Sequence, residues 1–133
     1  MVCIHCGAKT HTFNSRLQRR NNKVWRRREC LKCGAVFTTE ESAQYGLAWT
    51  VQPNEGALEP FSRDKLLLSI FKSCEHRLTA LNDAGNLTET VIRRLISQVE
   101  NGRLWSGSIT QVTLVVLARF DHAAGVYYQS RHK

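Results

Sequence analysis

The sequence predicts an α+β protein built in two parts. A small N-terminal module of short antiparallel strands is followed by a small β-hairpin and three to four helices. Two observations predict this division. Four of the five cysteines fall within the first 33 of 133 residues, and helical apolar periodicity begins only after residue 60. The charge is also uneven. Residues 1–39 hold nine Lys and Arg against one acid, Glu29, so the formal charge of +8 sits on the first third.

The first module is read from its cysteine hooks, Cys3-Ile4-His5-Cys6-Gly7 and Cys30-Leu31-Lys32-Cys33-Gly34. Two C-x-x-C-G knuckles bring four thiolates to one tetrahedral ion, so Cys3, Cys6, Cys30 and Cys33 are expected to bind a structural Zn2+. A redox C-x-x-C pair would instead open a helix in a βαβ unit, and no such pattern is present. A unit of about 40 residues buries too little core to fold unaided, so a metal staple is physically reasonable. This is the pattern of a zinc ribbon. Thr10–Phe13, Lys23–Arg28 and residues 35–39 are its expected strands, with Arg19-Arg20-Asn21-Asn22 at the turn. Trp25 is expected to cover the ribbon's small core, with stacking on a base as the alternative.

Residues 40–47 read as a polar connector. Trp49-Thr50-Val51 and Leu58 to Phe61 form the expected hairpin about the turn Pro53-Asn54-Glu55-Gly56. Ser62 caps a first helix whose apolar positions are Leu66, Leu67, Ile70, Phe71 and Cys74. Cys74 is read as a core residue. A second helix is expected from Thr88 to Asn101, stopped by Gly102, a third from Ser108 to Phe120, and a weaker fourth from Ala123 to Ser130, interrupted by Gly125. The domains predicted are residues 1–46 and 47–133.

The composition also narrows function. The start carries neither a basic n-region nor an apolar h-region, and no run is long enough to span a bilayer. A cytoplasmic, nucleoid-associated protein without a membrane partner is therefore expected, with cysteines kept as ligands rather than disulfides. No nucleophile–base motif, Walker A loop or open metal position is present, so an enzyme is not expected. Nine cations on a metal-stapled module point to a nucleic-acid partner, with Arg16, Arg26, Arg27 and Arg28 the leading contacts. On a strand, Arg26 and Arg28 point to one face and Arg27 to the other. Charge alone fits DNA and RNA equally.

These residues resemble the NrdR family, zinc-ribbon/ATP-cone repressors of bacterial ribonucleotide reductase genes. The matching stretches are Cys3-x-x-Cys6-Gly7, Asn14-Ser15-Arg16, Arg26-Arg27-Arg28-Glu29-Cys30, Cys33-Gly34, Phe37-Thr38-Thr39-Glu40, Glu59-Pro60-Phe61 with Lys65-Leu66, and Cys74-Glu75-His76-Arg77. The resemblance implies a regulator that binds double-stranded DNA as a homo-oligomer, with ATP or dATP as effector. By residue matching, Arg16, Arg26, Arg27 and Arg28 would contact DNA, and Glu59 and Lys65 would belong to the nucleotide site. The chain departs from the family pattern at Val51-Gln52-Pro53, which lacks a lysine, at Ala57-Leu58, which replaces arginines, and at Gly125-Val126-Tyr127-Tyr128. A nucleic-acid-binding ribbon whose degenerate cone only oligomerises is the alternative.

Overall fold

The computed structural model describes residues 1–132; Lys133, the last residue of the second predicted domain, lies outside them. The chain divides into two compact units, Met1–Ala43 and Gln44 onward.

The first unit is a three-stranded antiparallel sheet in the order β1 (Thr10–Gln18), β2 (Lys23–Cys30), β3 (Val36–Ser42). Strand β1 runs five residues past the expected Phe13. Its second half is polar, but each residue from Asn14 to Gln18 finds a partner on β2, ending at Gln18 opposite Lys23. The ladder outweighs the weak strand propensity of Asn and Ser. The register shifts between Thr12 and Asn14, so Phe13 sits at a bulge. Asn22 closes the turn with φ of 54°, a conformation Asn tolerates. The buried apolar cluster is only Cys3, Cys30 and Phe37, with Ala8 and Ala35 packed against it.

The second unit opens with a short helix α1 (Tyr45–Ala48), where a connector was expected. A second sheet follows, ordered β5 (Glu59–Pro60), β4 (Thr50–Gln52), β6 (Arg103–Trp105). The expected hairpin is present, β4 pairing antiparallel with β5. Strand β6 was not foreseen. It pairs parallel with β4 and sets Leu104 beside Val51. Parallel pairing requires a long crossover, here helices α2 (Arg63–Ser73) and α3 (Ala80–Leu95). The unit ends in α4 (Ser106–Phe120) and α5 (His122–Arg131).

Ser62 caps α2 as expected, its hydroxyl accepting from the Lys65 N–H at 3.2 Å. Helix α3 starts eight residues before the expected Thr88 and ends at Leu95, a 3-10 turn covering Ile96–Gln98. Gly85 and Asn86 weaken its first turns locally, yet Ala80, Ala84 and Leu87 continue the buried stripe, so packing outweighs propensity. Gly102 lies in the turn before β6 with φ of 73°.

The core joins both sheet and helices. Ile70, Cys74, Val91, Leu95, Leu104 and Leu117 are fully buried, and Cys74 takes the core position expected of it. Buried Thr88 and Thr113 each donate to the carbonyl four residues back, Ala84 and Ile109, at 2.7 Å. Gly125 is not an interruption but a contact. A Cβ there would sit 2.9 Å from the Ala118 Cα, so only glycine lets α5 approach α4 this closely. Arg77 binds Asp83 at 2.9 Å and Asp121 at 2.8 Å while its guanidinium lies over the Phe120 ring. It thereby ties the α2–α3 turn to the α4–α5 junction, where Asp121 caps α5.

Candidate metal centre and nucleic-acid interface

The two cysteine hooks form near-identical turns. Gly7 N–H donates to the Cys3 carbonyl at 3.0 Å, and Gly34 N–H to the Cys30 carbonyl at 3.2 Å. Both glycines take positive φ, 78° and 75°, which any side chain would strain. The turns aim backbone donors at sulfur: His5 N–H at Cys3, and Lys32 and Cys33 N–H at Cys30, each at 3.3 Å.

The four sulfurs of Cys3, Cys6, Cys30 and Cys33 all lie within 4.8 Å of one another. Cys3 and Cys33 are 3.7 Å apart, and Cys6 and Cys30 are 3.4 Å apart, with every cysteine free. A tetrahedral ion with about 2.3 Å bonds to sulfur separates its ligands by about 3.8 Å. The donor set therefore fits Zn2+. Backbone donors from Cys33 and Lys32 hold the Cys30 thiol down at about 6, which favours the thiolate a metal needs. For Cys6 the Ala8 N–H lowers the thiol, but the neighbouring Cys30 sulfur and desolvation outweigh it and leave it at about 11. A zinc ion held by these four ligands would cross-link the two ends of the ribbon and supply no reactive position.

The sheet divides the arginines by face. Arg16, Trp25 and Glu40 lie in one cross-strand row, and Asn14, Arg27 and Thr38 in the next. These six share one face. Arg26 and Arg28 belong to the other, where Arg28 stands opposite buried Phe37. Arg26 and Arg28 are half-buried and donate to Ser15 at 3.1 Å and Thr39 at 3.3 Å. Arg27 is exposed and donates to Thr38 at 2.8 Å. So the four sequence candidates do not converge on one surface: Arg16 and Arg27 do, while Arg26 and Arg28 brace the metal side of the sheet.

Trp25 departs from its expected place. It is 41% exposed, on the face opposite Phe37, and the ribbon core is closed by Phe37, Ala8 and Ala35 instead. Its indole N–H donates to Glu40 at 3.1 Å. The alternation of strand β2 places Trp25 with Arg27, but which face turns inward depends on Cys30 and Phe37.

In the second unit, Glu59 and Lys65 come together at a cavity of about 200 Å³. The N-terminal turn of α2 reaches it through Ser62, and its far wall holds Ser69, Tyr128 and His132. His132 stacks on Tyr128 with centroids 4.0 Å apart and lies 3.3 Å from the Ser69 hydroxyl. Burial pushes the Tyr128 phenol up. Ser69 comes from α2, Tyr128 from α5 and His132 from the residue that follows α5, and no local motif joins them.

A four-cysteine centre between two glycine knuckles, carried on a basic three-stranded sheet, defines a nucleic-acid-binding type of zinc ribbon. Residues 1–41 match the family described as Transcriptional repressor NrdR-like, N-terminal domain. Similarity extends across the whole chain. It is 33% identical to the Transcriptional repressor NrdR of Symbiobacterium thermophilum, over all of this chain and 87% of the relative. The proteins of that name from Syntrophus aciditrophicus and Thermoanaerobacter pseudethanolicus are 33% and 31% identical, again over all of this chain and 83% and 84% of theirs. The chain belongs to the NrdR family, a family of transcriptional repressors rather than enzymes. Among the described residues no helix is long and apolar enough to cross a membrane.

Proposed function

We propose that the protein is a zinc-dependent repressor of ribonucleotide reductase genes, which docks its ribbon on double-stranded DNA and responds to ATP or dATP through its oligomeric state. The observation that carries this reading is the four-cysteine cluster beneath a sheet whose strands concentrate the chain's positive charge. In this reading residues 1–46 are the DNA-binding domain and 47–133 the ATP-cone-like regulatory and oligomerisation domain. Arg16 and Arg27 meet the DNA directly, Arg26 and Arg28 support from the opposite face, and phosphate contacts supply most of the affinity. Cone–cone contacts pair two ribbons, which raises affinity for paired sites by effective concentration. The protein works in the cytoplasm at the nucleoid.

The nucleotide part rests on the cavity shared by Glu59 and Lys65. Lys65 supplies a cation there, and the first turn of α2 supplies partial positive charge for a phosphate. Nucleotide then acts only through different affinity for two assemblies. The same cavity favours a second reading. About 200 Å³ is below the 300–1,000 Å³ typical of ligand pockets, and Lys65 is its one lysine or arginine among the described residues. A cone that only oligomerises fits those facts.

Fluorescence anisotropy at about 150 mM salt separates the readings. The probes are a duplex carrying paired repressor boxes from a ribonucleotide reductase promoter and a scrambled duplex, each with and without dATP. Preference for the boxes that shifts with dATP is the expected result. Preference without a dATP response supports the oligomerising cone. Equal binding to both duplexes would overturn the assignment to ribonucleotide reductase promoters.

A further inference from the structure

We propose that Trp25 is a base-stacking platform, and that the ribbon's exposed face takes an unpaired or flipped base of DNA with its flanking phosphates on Arg16 and Arg27. The inference rests on the ribbon being the nucleic-acid interface and goes beyond it, because it names the structure recognised.

Three observations meet at this face. The first is exposure where burial was available. Trp25 is the third residue of the middle strand, and it is exposed beside a shallow cavity of about 190 Å³. Asn14, Arg16, Arg27 and Thr38 from the same face complete that cavity, and Arg26, next to Trp25 in the strand, also borders it. An exposed aromatic ring among guanidinium groups is how single-stranded nucleic acid is held: cations follow the backbone, and the ring stacks on a base.

The second is the fixed indole edge. The Trp25 N–H is already engaged by Glu40. It has no donor left for the edge of a base, so the ring offers its π-face. Stacking tolerates any base, since every base has such a face. Trp25 therefore adds affinity for an unstacked base without reading its identity.

The third is the charge order across the row. Arg16 lies on one side of Trp25 and Glu40 on the other. The Glu40 carboxylate, paired with Lys23 at 3.5 Å, leaves its side of the row without excess positive charge to draw phosphate. Arg16 and Arg27 favour it on theirs. The backbone is thus directed along the β1 side of the sheet, which leaves the base over the ring.

The test uses the full chain and two DNA probes of the same sequence and length: a fully paired duplex and one with a central mismatched bubble. Wild type, Trp25→Phe and Trp25→Leu are titrated by anisotropy, with zinc content and far-ultraviolet circular dichroism confirming that each variant is folded. Wild type should prefer the bubble. Trp25→Leu should lose about 5- to 150-fold of bubble affinity, the equivalent of one base stack, and should change duplex affinity little. Trp25→Phe should retain part of the preference. A 2-aminopurine in the bubble should be quenched by wild type and not by Trp25→Leu. Equal wild-type binding to both probes, or a preference that survives in Trp25→Leu, overturns the stacking role while leaving the ribbon as an interface. Failure of wild type to bind either probe overturns both.

Discussion

The two units of this chain are held together by different physics. Among the described residues, the ribbon buries three apolar side chains, two of them metal-ligand cysteines. The helical unit buries eighteen in one cluster. Burial of a Leu or Ile side chain is worth roughly 1.5–3 kcal/mol. One phenylalanine cannot offset the chain entropy of 43 ordered residues, whereas the helical core can carry its own share. The contrast teaches that the ribbon's surface was free to specialise. With its fold delegated to four sulfurs, the ribbon leaves six of its nine cations, Lys9, Arg16, Arg19, Arg20, Arg27 and Lys32, exposed to solvent.

The sharpest way to break this comparison is to remove the metal. Zinc binding by such modules is worth about 10–16 kcal/mol, far more than the ribbon's apolar burial. Chelation, or Cys30→Ser, should unfold residues 1–43 and abolish DNA binding. The helical unit should keep its dispersed amide resonances. A two-dimensional amide spectrum recorded before and after chelation reads both outcomes at once. A ribbon that stays folded without metal would refute the contrast.

The converse experiment strikes the other core. Ile70 and Leu104 are fully buried, one on α2 and one on the strand beside Val51. Ile70→Ala or Leu104→Ala should cost about 2–5 kcal/mol in the helical unit. The midpoint of its denaturant transition should fall accordingly, while zinc stoichiometry stays unchanged.

The same difference explains what the sequence disclosed. A metal site is written in local chemistry, so Cys3, Cys6, Cys30 and Cys33 were legible from spacing alone and converge in space. Ser62 was equally local as a cap. What escaped was set by distant partners. Strand β6 exists because Val51 needs Leu104 beside it, fifty-three residues on. The early start of α3 follows from burial of Ala80 and Ala84, and the second half of β1 follows from its ladder with β2. The placement of Trp25 was missed because an indole usually marks a core, and only Phe37 and Cys30 reveal which face turns inward. The cavity around Lys65 was half legible: Glu59 and Lys65 came from the family resemblance, but Tyr128 of the last helix and His132 just after it reach the cavity only through the fold.

A finer probe of the helical unit is Gly125. Its missing side chain sets the distance between α4 and α5, and a methyl group would meet the Ala118 backbone. Gly125→Ala should destabilise this unit by about 1–3 kcal/mol, through overpacking that exceeds the gain in helix propensity. Gly85 on α3 faces open space, so Gly85→Ala should instead stabilise by about 0.4–1 kcal/mol. Thermal melts of the two variants should therefore shift in opposite directions, and a common direction would refute the close-approach account.

The smallest expected effect concerns charge. Asp121 is held well below the ordinary carboxylate range by the Ala124 N–H, then by Arg77 and His76. Asp83 is lowered by the Thr79 hydroxyl and Arg77. A carboxylate depressed in the folded state contributes stability above its unfolded value, near pH 4, and loses it as pH falls through the lower folded value. The helical unit should thus weaken progressively as pH drops below about 4. Asp121→Asn should flatten part of that slope and lower stability at neutral pH, because Arg77 loses one of its two carboxylates. Denaturant titrations at stepped pH on the metal-free protein isolate this, since there the helical unit supplies the cooperative transition. An unchanged slope in Asp121→Asn would mean that the Arg77 clasp is a feature of geometry and carries no share of the acid sensitivity.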